Sequence, residues 1–129
     1  MNTDILGQGL AFPLKINLRG GIRQFRHQQK IEQSIRIILG TQHGERLMRP
    51  DFGCNLKSLV FAPNNTATAN LARYYVEEGL TRWEPRIILD EVFVENDNSH
   101  GRLMIHIQYR IKSTYEPQNL VFPFYLEQP

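Results

Sequence analysis

The sequence predicts an α+β domain: two main helices packed on a mostly antiparallel sheet, with a short N-terminal hairpin. Helical periodicity over residues 28–39 and from the cap candidates at 64–66 to about Trp83, followed by strict alternation from Leu103 to Ile111, points to this class. Between the helical and extended parts stands Trp83-Glu84-Pro85-Arg86. Pro85 forbids the helix to continue and pushes Glu84 out of the α region, so the backbone must straighten there.

Residues 1–11 are weakly patterned and read as an arm, with a single domain over 12–129. Leu14, Ile16 and Leu18 alternate as in a strand, and Gly20-Gly21 would turn the chain towards Ile22 and Phe25 as a hairpin. Ile31, Ile35, Ile38 and Leu39 then form one helical stripe, closed by Gly40 at the C′ position. The stretch from Thr41 to Gly53 is dense in glycine, proline and charge, yet it carries Leu47, Met48 and Phe52. It reads as a packed connection or a binding loop, because large apolar groups on ordered loops need a partner surface.

Leu56 to Phe61 suggests one short helical turn ended by Pro63. Asn64, Asn65 and Thr66 are N-cap candidates for the next helix. Its stripe is Ala72, Val76, Leu80 and Trp83, widened by Leu71, Tyr74 and Tyr75, and aromatics at that spacing read as core rather than as a base-stacking platform. Ile87 to Glu95, Leu103 to Lys112 and Leu120 to Leu126 read as strands separated by turn chemistry. Pro123 cannot donate to a ladder, which places the last strand at an edge or its tip beyond the pairing.

Composition narrows the chemistry. The chain of 129 residues has one cysteine, Cys54, which excludes a disulfide framework or a zinc quartet and suits a reducing compartment. Met1 to Leu10 lack the build of a secretory leader, and no apolar run approaches the length of a membrane span, so a soluble protein without membrane insertion is expected. Residues 1–50 carry eight Lys/Arg against three Asp/Glu, and residues 51–129 carry seven against ten. That asymmetry suggests polar contacts with other proteins ahead of a phosphate backbone.

His27, His43, His100 and His106 are scattered without metal-ligand spacing, so neither metal nor cofactor is expected. Gly7-Gln8-Gly9 lacks the third glycine of a dinucleotide loop. The best enzymatic reading is a glycoside hydrolase pairing Glu45 with Asp51 or Glu84, which would need one carboxyl with a raised pKa. Glu84 and Arg86 leave an extended backbone on the same side, roughly 6.6 Å apart. From spacing alone, a local ion pair closing the corner is favoured over a docking role.

The helix ending Ile37-Ile38-Leu39-Gly40-Thr41, then Gly44-Glu45-Arg46, Met48, Pro50, Phe52-Gly53, and Glu84-Pro85-Arg86 before a strand resemble the baseplate wedge, or sheath-initiator, family of contractile phage tails and injection systems. The resemblance implies a non-enzymatic structural protein joining the baseplate wedge to the first sheath ring and initiating sheath assembly, some of whose relatives carry a lysozyme label. It would stand in several copies in a symmetric ring, assembled in the cytoplasm and then carried in the tail or injection particle. Implied partners are wedge proteins, sheath subunits and tube or spike-hub proteins, with no nucleic acid. Glu84, Pro85 and Arg86 become a wedge-docking patch with Arg86 at its rim, Gly44, Glu45 and Arg46 a contact loop, and Gln108, Arg110, Val121 and Tyr125 a sheet edge for sheath arms. A small regulatory adaptor sharing the fold is the alternative.

Overall fold

The structure, a computed structural model, describes residues 11–42 and 52–127, with side chains from residue 20 onward. The chain divides into two units, Met1–Ile31 and Glu32–Pro129. Helices α1 (Ala11–Gly40) and α2 (Thr66–Trp83) precede strands β1 (Ile87–Asp97), β2 (Arg102–Ile111) and β3 (Pro117–Tyr125), with 3-10 turns at Leu56–Leu59 and Asn98–His100. The α+β class and the antiparallel sheet are as expected. Of the proposed arm, residues 1–10 lie outside the described residues, as do residues 43–51 of the loop, including Gly44, Glu45, Arg46 and Asp51.

The N-terminal hairpin is replaced by helix: α1 runs unbroken through Gly20 and Gly21, neither of which has a positive φ. Three alternating apolar residues are too few to oppose a helix propagating from the periodic segment beside them, since extending a helix is far easier than nucleating one. Pro13 is tolerated because it falls in the first turn, where its missing N–H has no intrahelical partner. The two glycines cost about 1 kcal/mol each relative to alanine. Arg26 and Lys30, four apart, add like-charge repulsion of about 0.2–0.5 kcal/mol. The first half of α1 is therefore a weak helix on local terms.

The stripe Ile31, Ile35, Ile38 and Leu39 is buried, and α1 ends with the Thr41 amide donating to the Ile38 carbonyl at 3.3 Å. Of the three cap candidates Asn65 is the one that caps α2: its side chain accepts from the Thr68 amide at 3.0 Å. Ala72, Val76 and Leu80 are buried as expected, but Leu71 and Tyr74 are 41% and 56% exposed, so the apolar stripe is narrower than predicted. Phase explains it: Tyr74 lies about 200° from Ala72 around a 3.6-residue helix. Small residues on the inner face also bring the helix close, and a Cβ on Gly79 would stand 2.7 Å from the Cβ of Cys54.

The sheet order is β1-β2-β3, antiparallel throughout, with α2 lying along β1. Leu103, Ile105, Ile107, Tyr109 and Ile111 of β2 face the core. They pair in register with Val92 and Ile87 on one side and with Leu120 and Phe124 on the other. Gly101, with φ 63°, takes the left-handed position that closes the first hairpin. In the second hairpin Tyr115 holds φ 58°, at a steric cost of about 1–2 kcal/mol for a residue with a Cβ.

The Gly79 contact generates a prediction. Gly79→Ala places a methyl against a Cβ that cannot swing aside, so the variant should lose about 1–3 kcal/mol of stability by overpacking, despite alanine's better helix propensity. Urea denaturation checks it; a variant as stable as wild type would show that α2 does not approach Cys54 this closely.

Candidate functional site

The corner after α2 is assembled from three parts of the sequence. Once Pro85 has ended the helix, the Glu84 amide still donates to the Leu80 carbonyl at 3.0 Å, and the Arg86 carbonyl accepts from the Lys112 amide at 2.8 Å. The Glu84 carboxylate is buried. It is gripped by the Arg86 fork, Nε to Oε1 at 2.7 Å and Nη2 to Oε2 at 3.0 Å, and accepts from Ser34 Oγ of α1 at 2.7 Å. Burial opposes the charge on Glu84, but the hydrogen bonds from Arg86 and Ser34 outweigh it and hold the carboxyl below its ordinary pKa. The same pairing raises Arg86.

Arg86, expected at the rim of a docking patch, therefore also serves the fold. Its side chain is 42% exposed, yet it neutralises a buried carboxylate. The local ion pair is therefore present, while Pro85 and part of the Arg86 side chain are exposed. Ser34 lies 50 residues from Glu84 along the chain, and no sequence pattern pointed to it.

The described feet of the 41–53 segment are pinned together beside this corner. Gln42 and Cys54 form a parallel bridge, the Cys54 amide donates to the Thr41 carbonyl at 3.0 Å, and Gln42 Nε2 donates to Asn55 Oδ1 at 2.8 Å. Gly53 has φ 101°, and a Cβ there would stand 2.2 Å from the Thr41 carbonyl oxygen, so only glycine fits. Phe52 packs against Trp83 with ring centroids 5.1 Å apart. Burial pushes the Cys54 thiol pKa up, away from nucleophilic use.

The sheet supplies the third feature. Strand β2 is central and hydrogen-bonded on both sides, so Gln108 and Arg110 are not edge residues. Their alternation with buried neighbours reports an open sheet face, not an open edge. Arg110 is engaged across that face with Asp90, its Nε 3.1 Å from each carboxylate oxygen. Val121 and Tyr125 do lie on an edge strand, β3, exposed on the same face. That strand carries Pro117 and Pro123, two positions without an N–H. On the opposite edge, β1 bulges at Asp90 and borders a groove of about 480 Å³ against α2, lined among others by Asn70, Arg73, Glu77, Glu91 and Phe93. Sequence reading missed this edge.

Of the proposed hydrolytic carboxylates, Glu45 and Asp51 lie outside the described residues. Glu84 has a lowered pKa, the reverse of what a general acid needs. Among the described residues no group of three or more His, Cys, Asp or Glu is placed to hold a metal ion, and no helix is long and apolar enough to cross a membrane.

Two outcomes follow from the corner. Arg86→Ala should cost about 1–3 kcal/mol, less than the ~3–5 kcal/mol of a fully buried pair because solvent screens the exposed guanidinium. Because the folded pKa of Glu84 is depressed, its contribution is complete above the unfolded value near ~4.3 and is lost as pH falls through the folded value. Thermal melts should accordingly show wild type above Glu84→Gln at neutral pH and the two converging in acid; parallel curves would mean that Glu84 is not the group responsible.

Residues 26–116 match the family model described as Baseplate wedge protein gp25. Baseplate protein W of Escherichia phage P2 is 30% identical over 95 residues, covering 74% of this chain and 82% of that protein. Among solved structures, a Geobacter sulfurreducens protein that carries a tail-lysozyme label is 50% identical with a TM-score of 0.73, over 78% of this chain and 92% of that one. A chain in the post-contraction baseplate of pyocin R2 is 26% identical with a TM-score of 0.50, over 77% and 85%. The braced Glu84-Pro85-Arg86 corner and the three-stranded sheet thus belong to a baseplate wedge protein of contractile tail systems, a member of the gp25 family.

Proposed function

We propose that this protein is a non-catalytic baseplate component that joins the wedge to the first ring of the contractile sheath and starts sheath assembly by accepting an extended sheath arm as a further strand at the β1 edge. The observation that carries this reading is the pairing pattern. Among the described residues nothing pairs with the outer edge of β1, and the groove beside it runs between that strand and α2. An unpaired edge is a template for strand addition, in which main-chain bonds give affinity and alternating side chains give register. The β3 edge is a poorer template, since Pro117 and Pro123 each remove a donor. Val121 and Tyr125 instead offer side-chain contacts on the outer sheet face.

In the same reading Glu84, Pro85 and Arg86 form the wedge-docking patch, with two roles for Arg86. Its Nε and Nη2 brace the corner, while Nη1 makes no hydrogen bond among the described residues and is left for a partner. Gly44, Glu45 and Arg46 are a further contact in this reading. Copies of the protein occupy a symmetric ring, assembled in the cytoplasm before incorporation into the particle. The tail-lysozyme label of the Geobacter relative is not carried over, because Glu84 is committed to an internal ion pair.

Hydrogen exchange in the presence of purified sheath subunit tests the edge. Amides of Glu91 to Glu95 should gain protection while those of β3 do not. Protection of β3 alone would move the docking site to the other edge, and no change in either would contradict strand addition. The corner is tested by Arg86→Lys, which keeps a cation for Glu84 but loses the planar fork. It should fold with a modestly lowered Tm and enter baseplates poorly; normal incorporation would leave Arg86 with only its bracing role.

A further inference from the structure

We propose that the first half of α1 is an electrostatic docking helix for an acidic protein surface in the baseplate. The inference rests on the family assignment and does not depend on the strand-edge reading. Basic residues stand at positions 15, 19, 23, 26 and 30, and the sequence has no Asp or Glu between Asp4 and Glu32. On a helix that continues from Ala11 to Gly40, these five positions fall within roughly a quarter of the circumference. The rest of the chain has the opposite balance, with ten Lys/Arg against twelve Asp/Glu from Glu32 onward.

The described part of the helix shows this stripe in the open. Arg23, Arg26 and Lys30 are exposed, and among the described residues no ion pair engages them. Beside them Ile22 is 43% and Phe25 59% exposed. Positions 14, 18, 22 and 25 continue an apolar line that stops at Gln29, whereas the basic line goes on to Lys30.

The chemistry of the partner follows from what the helix lacks. Like charges at four-residue spacing repel, two glycines weaken the middle, and no acid lies in the first turn to complement the helix dipole. Carboxylates supplied from outside would relieve that repulsion and stabilise the helix. A nucleic-acid backbone would satisfy the charges but leave Ile22 and Phe25 in water. A lipid surface would need an apolar face as long as the basic one, and here it is shorter and flanked by Gly21. An acidic protein surface with a small apolar patch meets both requirements.

The test uses the full chain and a fluorescent Glu/Leu-rich helical peptide as probe, with phosphatidylserine vesicles and a short DNA duplex as comparators. Wild type should bind the peptide, more weakly as salt rises, and the triple variant Arg23→Glu, Arg26→Glu, Lys30→Glu should bind about tenfold or more weakly. The milder set Arg23→Gln, Arg26→Gln, Lys30→Gln should fall between them, and Phe25→Ser should weaken binding several-fold, with the thermal melt of the body unchanged in each case. The proposal is overturned if wild type does not bind the peptide, if the charge variants bind as wild type does, or if vesicles or DNA are bound more tightly than the peptide through the same residues.

Discussion

A single buried carboxylate ties α1 to the corner between α2 and β1. Glu84 sits where α2 gives way to β1, and its oxygens are divided between Arg86, two residues on, and Ser34 from α1. Taking a carboxylate out of water is costly, and the cost is offset only when its lone pairs are met by good donors, preferably charged ones. Meeting that demand fixes the exit angle of α2, the start of β1 and the position of the last turns of α1. Pro85 between the two charged residues removes the helical alternative. The three residues are one device, and its first task is internal.

The device places the sheet for its function. With β1 launched from the corner, α2 is laid along that strand, and the small residues Ala69, Ala72 and Gly79 let it come close to the core. The groove between α2 and the β1 edge is what remains beside this packing. Pro117 and Pro123 make the far edge a poor template for pairing, so the sheet is asymmetric in what it offers another chain. A platform with one receptive edge can take one strand in one place, as the proposed function requires.

Much of this was legible in the sequence, for physical reasons that differ by element. The cap candidates Asn64, Asn65 and Thr66 announced α2 because a cap is a local hydrogen bond, which Asn65 makes, and the alternation from Leu103 to Ile111 announced β2 because one face is buried. The same alternation misled on the edge: it is produced by an exposed face, and Gln108 and Arg110 lie on the central strand. The N-terminal helix was hidden by the Gly20-Gly21 pair and by a brief period-two pattern, both overridden by propagation from the segment that follows. Ser34 and the approach of Gly79 to Cys54 depend on tertiary proximity, which leaves no periodic trace. The basic line along α1 becomes visible only once the segment is known to be helical, since in a hairpin the same residues would be scattered over two faces.

The proposed function requires that a braced corner present β1 as the strand-accepting edge. A cryo-EM reconstruction of an assembled baseplate containing this protein, with its first sheath ring, tests it most directly. The expected result is a fourth strand hydrogen-bonded along β1, with Arg86 still on Glu84. A bare β1 edge, or a sheath strand on β3, would contradict it.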